Sequence, residues 1–121
     1  HAMPVHGAPP GGDAASRTMT ICLGKNNQVL WYLGLPDRPR VQPTIVNYRK
    51  NGLRAAIINN ERRVLTNTGK TLLVILKPSA HSLYDNLVNS LDELNITSVE
   101  SYGIADISPK DIEMLKQKDA Y

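Results

Sequence analysis

The sequence predicts an α+β fold: a small mixed sheet of about four or five strands, with an N-terminal β-hairpin, a parallel βαβ unit, two main helices on one face and a short C-terminal helix. Three observations carry that prediction. Two strand-like runs, Met19 to Leu23 and Val29 to Gly34, flank the turn-forming stretch Gly24-Lys25-Asn26-Asn27. Residues 70–109 then read as apolar strand, amphipathic helix, second strand and a new helix cap. The chain has 121 residues, 41% of them apolar and none of them Phe, enough for one modest core built mainly from Leu, Ile and Val.

Taken in order, residues 1–16 hold three prolines, three glycines and almost nothing to bury. Such a stretch stays extended or disordered, so residues 1–18 read as a Pro/Gly-rich tether and residues 19–121 as the domain. His1 and Ala2 look like a cloning remnant. Extended at about 3 Å per residue, the tether from Pro4 to Thr18 reaches roughly 45 Å. In the hairpin that follows, Asn and Gly supply the positive-φ positions of the turn, and Trp31 and Tyr32 point to opposite faces. Leu35 to Pro43 carries three prolines and three charges. It cannot be a central strand or a helix, and a loop is expected there.

Asn51 opens a helical pattern as its cap, with Leu53, Ala56, Ile57 and Val64 on one face and Arg54, Asn59, Asn60 and Arg62 on the other. Thr66-Asn67-Thr68-Gly69 stops it. Thr71 to Leu76 is continuously apolar and rich in β-branched residues, the mark of a strand covered on both faces, and Lys77-Pro78 ends it. Ser82 with Asp85, or alternatively Ser79, caps the next helix. Its residues Leu83, Tyr84, Leu87, Val88, Leu91 and Leu94 form one apolar stripe, opposite Asp85, Asn86, Asn89, Asp92 and Glu93. Burying that stripe is worth about 1.5–3 kcal/mol per side chain, close to the cost of ordering the helix. The helix therefore has to lie on a sheet. Asn95 offers a left-handed exit, Val99 to Ile107 returns as a parallel strand, and Ser108-Pro109-Lys110-Asp111 starts a last helix to about Gln117.

Composition excludes several classes of function. No segment approaches the roughly 20 apolar residues of a membrane span. The net charge of +3 is unevenly spread: residues 17–70 hold ten basic and two acidic residues, whereas residues 71–121 hold four basic and eight acidic. The basic charges are scattered and lack interleaved aromatics, which argues for a solvated face and against a nucleic-acid partner. Such a face also fits an acidic partner or an anionic surface. Cys22 is the sole cysteine, so no intrachain disulfide or CxxC site exists, and its alternation with Ile21 and Leu23 reads as a packed thiol.

Motifs that suggest chemistry fall short. Gly69-Lys70-Thr71 ends like a phosphate-binding loop, but Val64 stands where that motif needs glycine, and a strand follows where a helix is required. Asp92 and Glu93 diverge by about 100° on a helix and do not converge on a substrate. Asn95-Ile96-Thr97 fits a glycosylation sequon, a pattern that also arises by chance. His81 has no second ligand at metal spacing. Asp106 is the one unusual acid, near a strand's C-terminal end where α/β folds often bind ligands. No catalytic, cofactor-binding or metal-ligating residue emerges, and no enzyme activity is expected.

With these elements in place, several stretches resemble the periplasmic domain of the ExbD/TolR family. They are Met19-Thr20-Ile21-Cys22-Leu23-Gly24, Tyr48 with Asn51-Gly52-Leu53-Arg54, Leu73-Val74-Ile75-Leu76-Lys77-Pro78, Tyr84 with Asn86-Leu87-Val88, Leu91-Asp92-Glu93-Leu94-Asn95-Ile96-Thr97, and Tyr102-Gly103-Ile104-Ala105-Asp106-Ile107-Ser108-Pro109. The likeness covers roughly residues 19–112 and is strongest to ExbD-like biopolymer transport proteins of the Bacteroidetes type. It implies a larger native protein, anchored in the inner membrane by an N-terminal helix with an acidic residue used in proton coupling. That residue has no counterpart in this sequence. It further implies a homodimer that works with an ExbB-like channel subunit to pass proton motive force to a TonB-like periplasmic protein. The expected means is addition of a partner strand to an open sheet edge. The hairpin is the expected edge, making Ile21, Leu23, Val29 and Trp31 the candidate partner-binding residues. A TolR-like envelope module binding peptidoglycan through the basic half is the alternative, and a small enzyme using Asp106 a weaker third.

Overall fold

A computed structural model describes residues 12–121. Its elements are α1 (Gly12–Ala15), β1 (Thr18–Leu23), β2 (Val29–Gly34), β3 (Pro39–Val46), α2 (Leu53–Thr68), β4 (Leu73–Pro78), α3 (Tyr84–Ile96), β5 (Ser101–Ile104) and α4 (Pro109–Gln117). The five strands form one mixed sheet in the order β3-β2-β1-β4-β5. β1 pairs antiparallel with β2 and parallel with β4, and β4 pairs parallel with β5. This is the α+β class expected, with the parallel βαβ unit and the hairpin both present. Of the expected tether, residues 1–11 lie outside the described residues; from Gly12 the chain makes one helical turn and enters β1 at Thr18.

Strand alternation divides the interior into two cores. Met19, Ile21 and Leu23 of β1 join Val29, Trp31 and Leu33 of β2 beneath α2 and α3. Cys22, Leu30 and Tyr32 face the other way and meet Met114 and Leu115 of α4. Trp31 and Tyr32 do point to opposite faces, and both are buried.

Several local expectations change. Residues 39–43, read as loop, form the first half of β3. β3 is an edge strand, where a proline's missing N–H need not break a ladder, and its register against β2 shifts between Trp31 and Leu33. Asn51 is not the cap of α2: it takes a left-handed φ of 64°, and Gly52 stands at the N-cap with no side-chain bond. Gly69 ends that helix in the left-handed conformation, as the Thr66–Gly69 cluster suggested. Asn60, assigned to the wet face, is buried; its amide donates to the Ala56 carbonyl at 2.9 Å and to Met19 Sδ at 3.7 Å. α3 begins after Leu83 rather than at Ser82, because the Asn86 side chain accepts the Leu83 N–H at 2.8 Å. It runs past Asn95, and Ser98 makes the left-handed exit with φ 61°. β5 is shorter than Val99 to Ile107, so Asp106 lies beyond the strand. Only α4 starts as written, with Ser108 and Asp111 capping each other reciprocally and Pro109 at the first position.

The tail of the chain folds back onto the hairpin. Lys25 N donates to the Ala120 carbonyl at 2.8 Å, and Lys25 Nζ pairs with Asp119 at 3.0 Å. A Cβ on Gly24 would collide with the Ala120 carbonyl oxygen. Gly24→Ala is therefore expected to lower stability by about 1–3 kcal/mol, the usual cost of overpacking. Urea unfolding monitored by circular dichroism measures it, and an unchanged midpoint would mean that the tail does not pack there.

Candidate functional site

Two places on the described surface combine geometry with unusual chemistry. The first is a cleft of about 430 Å³ on the α4 side of the sheet, lined by Thr20, Tyr32, Ile75, Lys77, Asp106 and Ser108 among others. Three of its lining residues, Tyr32, Lys77 and Ser108, converge behind the wall in a polar node on Asp111, which is fully buried. Tyr32 donates its hydroxyl to Asp111 Oδ1 at 2.7 Å. Lys77 Nζ reaches Oδ2 at 2.8 Å, and the Ser108 hydroxyl and N–H donate to the same oxygen at 2.8 and 3.1 Å. Burial alone would raise the Asp111 carboxyl, but the bonds from Lys77, Tyr32 and Ser108 outweigh it and hold the group below its ordinary value. Burial, then the neighbouring Asp111, pushes the Tyr32 hydroxyl and the Cys22 thiol well up.

The sequence flagged Asp111 only as a first-turn acid and Lys77 only as a strand end. Parity was the available signal, since Lys77 lies on the same strand face as Ile75 and its ammonium must find a counter-ion there. The arrangement ties α4 to β2 and β4, and each member is consumed in holding the others. Lys77 is a charge partner, Tyr32 a donor, and the Ser108 hydroxyl, itself bonded to Asp111, serves as the helix cap. Asp106 sits exposed on the rim, while His81 is not in this cleft: its Nδ1 lies 2.7 Å from the Tyr121 carbonyl and its ring packs edge-on against Tyr121. Cys22 is buried and inert by position. Among the described residues, no three His, Cys, Asp or Glu side chains group as a metal site, and no helix is long and apolar enough to cross a membrane.

The second place is the sheet edge, and here the candidate binding residues need correction. Ile21, Leu23 and Val29 are wholly buried and Trp31 is 8% exposed. They belong to β1 and β2, each of which has a strand on both sides. Their main chain is already paired, so no strand can add there. The hairpin is central because β4 docks against β1, a pairing of distant residues, and β3 against β2, through a proline-containing stretch whose local pattern reads as loop. Among the described residues, the open edges are β3 and β5.

On α3, the helix that leads into β5, the apolar stripe is only partly covered. Leu94 is buried and Leu87 and Leu91 are half-buried, whereas Leu83 is 62%, Tyr84 78% and Val88 37% exposed. The inward face of α3 is instead Asn86, Ser90 and Leu94. Two contacts turn the helix that way. The Tyr48 hydroxyl lies 3.1 Å from the Asn86 carbonyl and 2.9 Å from Ser90 Oγ. Arg54 of α2 grips Glu93 with both nitrogens, at 2.8 and 3.2 Å, so Glu93 is not simply solvated. Neither a protein-family model nor a curated protein matches the sequence.

Removing one partner of the polar node leaves a buried charge alone. Lys77→Met is expected to cost about 3–5 kcal/mol in thermal or urea unfolding, and pairing it with Asp111→Leu should recover much of that loss. A double variant as unstable as the single one would contradict this. The depressed Asp111 carboxyl contributes stability that is present above its unfolded value and lost as pH falls through its folded one. The melting temperature should therefore fall on acidification below the ordinary carboxylate range, and Asp111→Asn should remove that component of the slope.

Proposed function

We propose that this domain is a non-enzymatic, peptide-gripping module of an ExbD/TolR-like inner-membrane protein. In this reading it receives an extended segment of a TonB-like periplasmic partner and relays motion from an ExbB-like proton channel through an N-terminal tether. The observation that carries the proposal is an open sheet edge together with uncovered apolar side chains on the helix that leads into it, Leu83 and Tyr84 foremost. Large apolar side chains left in contact with water beside unpaired backbone are what strand addition requires. The resemblance of residues 19–112 to that family supplies the partner class. The polar node supports the same reading, because its groups are spent on packing α4. Titrating the ¹⁵N-labelled domain with peptides covering the periplasmic stretch of a TonB-like partner tests it. Edge-strand amides are expected to shift in a saturable way; silence at both edges with every peptide would overturn strand addition.

A TolR-like role in binding peptidoglycan is the second reading. Arg49, Lys50 and Arg54 line one cleft of about 460 Å³ at the start of α2, with Glu93 as its acid. A charge-driven contact there should retain purified sacculi in a pull-down at low salt and release them at high salt. Retention independent of salt, or none at either, would count against it.

A further inference from the structure

We propose that the partner strand adds at β5, beneath the overhanging flank of α3, and that it is an extended segment with apolar residues at alternate positions and lysine or arginine between them. The inference rests on the reading of the domain as a peptide-gripping module and specifies which edge does the gripping and what it selects.

The edge follows from hydrogen bonding. Ala105 N donates to the Leu76 carbonyl at 2.9 Å, and Leu76 is in register with Ile104. In a parallel ladder each residue directs both its N–H and its C=O to one side. Ser101, Gly103 and Ala105 therefore face β4, and the amide groups of Tyr102 and Ile104 face outward, with no strand beside them among the described residues. β3, the other edge, is punctuated by Pro39 and Pro43, which lack donors. β5 contains no proline.

The apolar specificity follows from the helix. At 100° per residue, Leu87, Leu91, Tyr84 and Val88 fall within about 100° of the α3 circumference. Glu93 lies about 160° from Leu91 on the flank that Arg54 holds against α2. The apolar flank thus faces away from α2, over the side of the sheet where β5 is the last strand. Leu87, Leu91 and Tyr102 already pack on the main core, so a sixth strand would extend that core under Leu87, Leu91 and Tyr84 and beside the 44% exposed Ile104. Only alternate residues of the incoming strand face the helix, which sets the period of two.

The preference for basic residues follows from charge. Asp85 and Asp92 border the apolar flank on α3 and Asp106 follows β5, all three exposed, in the half of the chain with eight acids and four bases. An acidic rim attracts a cationic segment and repels an anionic one.

The test uses a capped hexapeptide of alternating valine and lysine, and the same peptide with glutamate for lysine. Amide shifts are expected at Tyr102 and Ile104, and methyl shifts at Leu87 and Leu91, with the glutamate peptide at least tenfold weaker. Ile104→Pro removes an outward N–H and no ladder bond, so it should leave the melting temperature nearly unchanged and abolish binding. Tyr84→Lys, at an exposed position on that flank, should weaken binding without touching the backbone. No binding of the lysine peptide, shifts confined to β3, or full binding by a folded Ile104→Pro domain would each overturn the assignment to β5. Partner peptides that still bind at another edge would leave the gripping function standing while this assignment fell.

Discussion

Because β1 pairs with β2 on one side and β4 on the other, its six residues have to satisfy two ladders and two cores at once. All six are buried, with Met19, Ile21 and Leu23 entering one core and Thr18, Thr20 and Cys22 turned to the other side of the sheet. A register slip of one residue would exchange those sets and bring Thr18, Thr20 and the thiol beneath α2 and α3. The placement of every other element relative to the two edges follows from this double pairing. β2 carries β3 outward on one side, and β4 carries β5 outward on the other.

The second face of the sheet is held by different physics. α4 buries Met114 and Leu115, a small apolar area, and its first turn is secured by ionic and polar contacts to Lys77 and Tyr32. A buried ion pair is weak evidence for net stability, since desolvation cancels much of the attraction. Its value here is directional: Asp111 accepts from a strand lysine, a strand tyrosine and its own cap residue, so only one seating of the helix satisfies all of them.

What local pattern could disclose, it disclosed. The Asn-containing turn, the apolar run of β4, the Leu-rich periodicity of α3 and the Ser-Pro-Lys-Asp start of α4 are all decided within a few neighbouring residues. The errors fall where distant contacts prevailed. Pro39 and Pro43 become tolerable in a strand because that strand is at an edge. Asn60 is drawn inside by Met19 and Ala56. The stripe of α3 was read as wholly buried because its residues are apolar, yet Tyr48 and Arg54, both from earlier in the chain, rotate Asn86 and Ser90 inward instead. A hairpin pattern predicts an edge because hairpins often are one, and it takes both β4 on β1 and β3 on β2 to make it central. The exposed apolar flank of α3 is thus legible as composition and hidden as position.

The double pairing of β1 also has a mechanical meaning. Tension transmitted through residues preceding Thr18 would run along the strand axis, in line with ladders on both of its sides. Such a load strains many backbone bonds together in shear instead of peeling them singly, and resistance to it is governed by the rate of unfolding rather than by equilibrium stability. A domain attached by that strand can be pulled on without coming apart at its point of attachment.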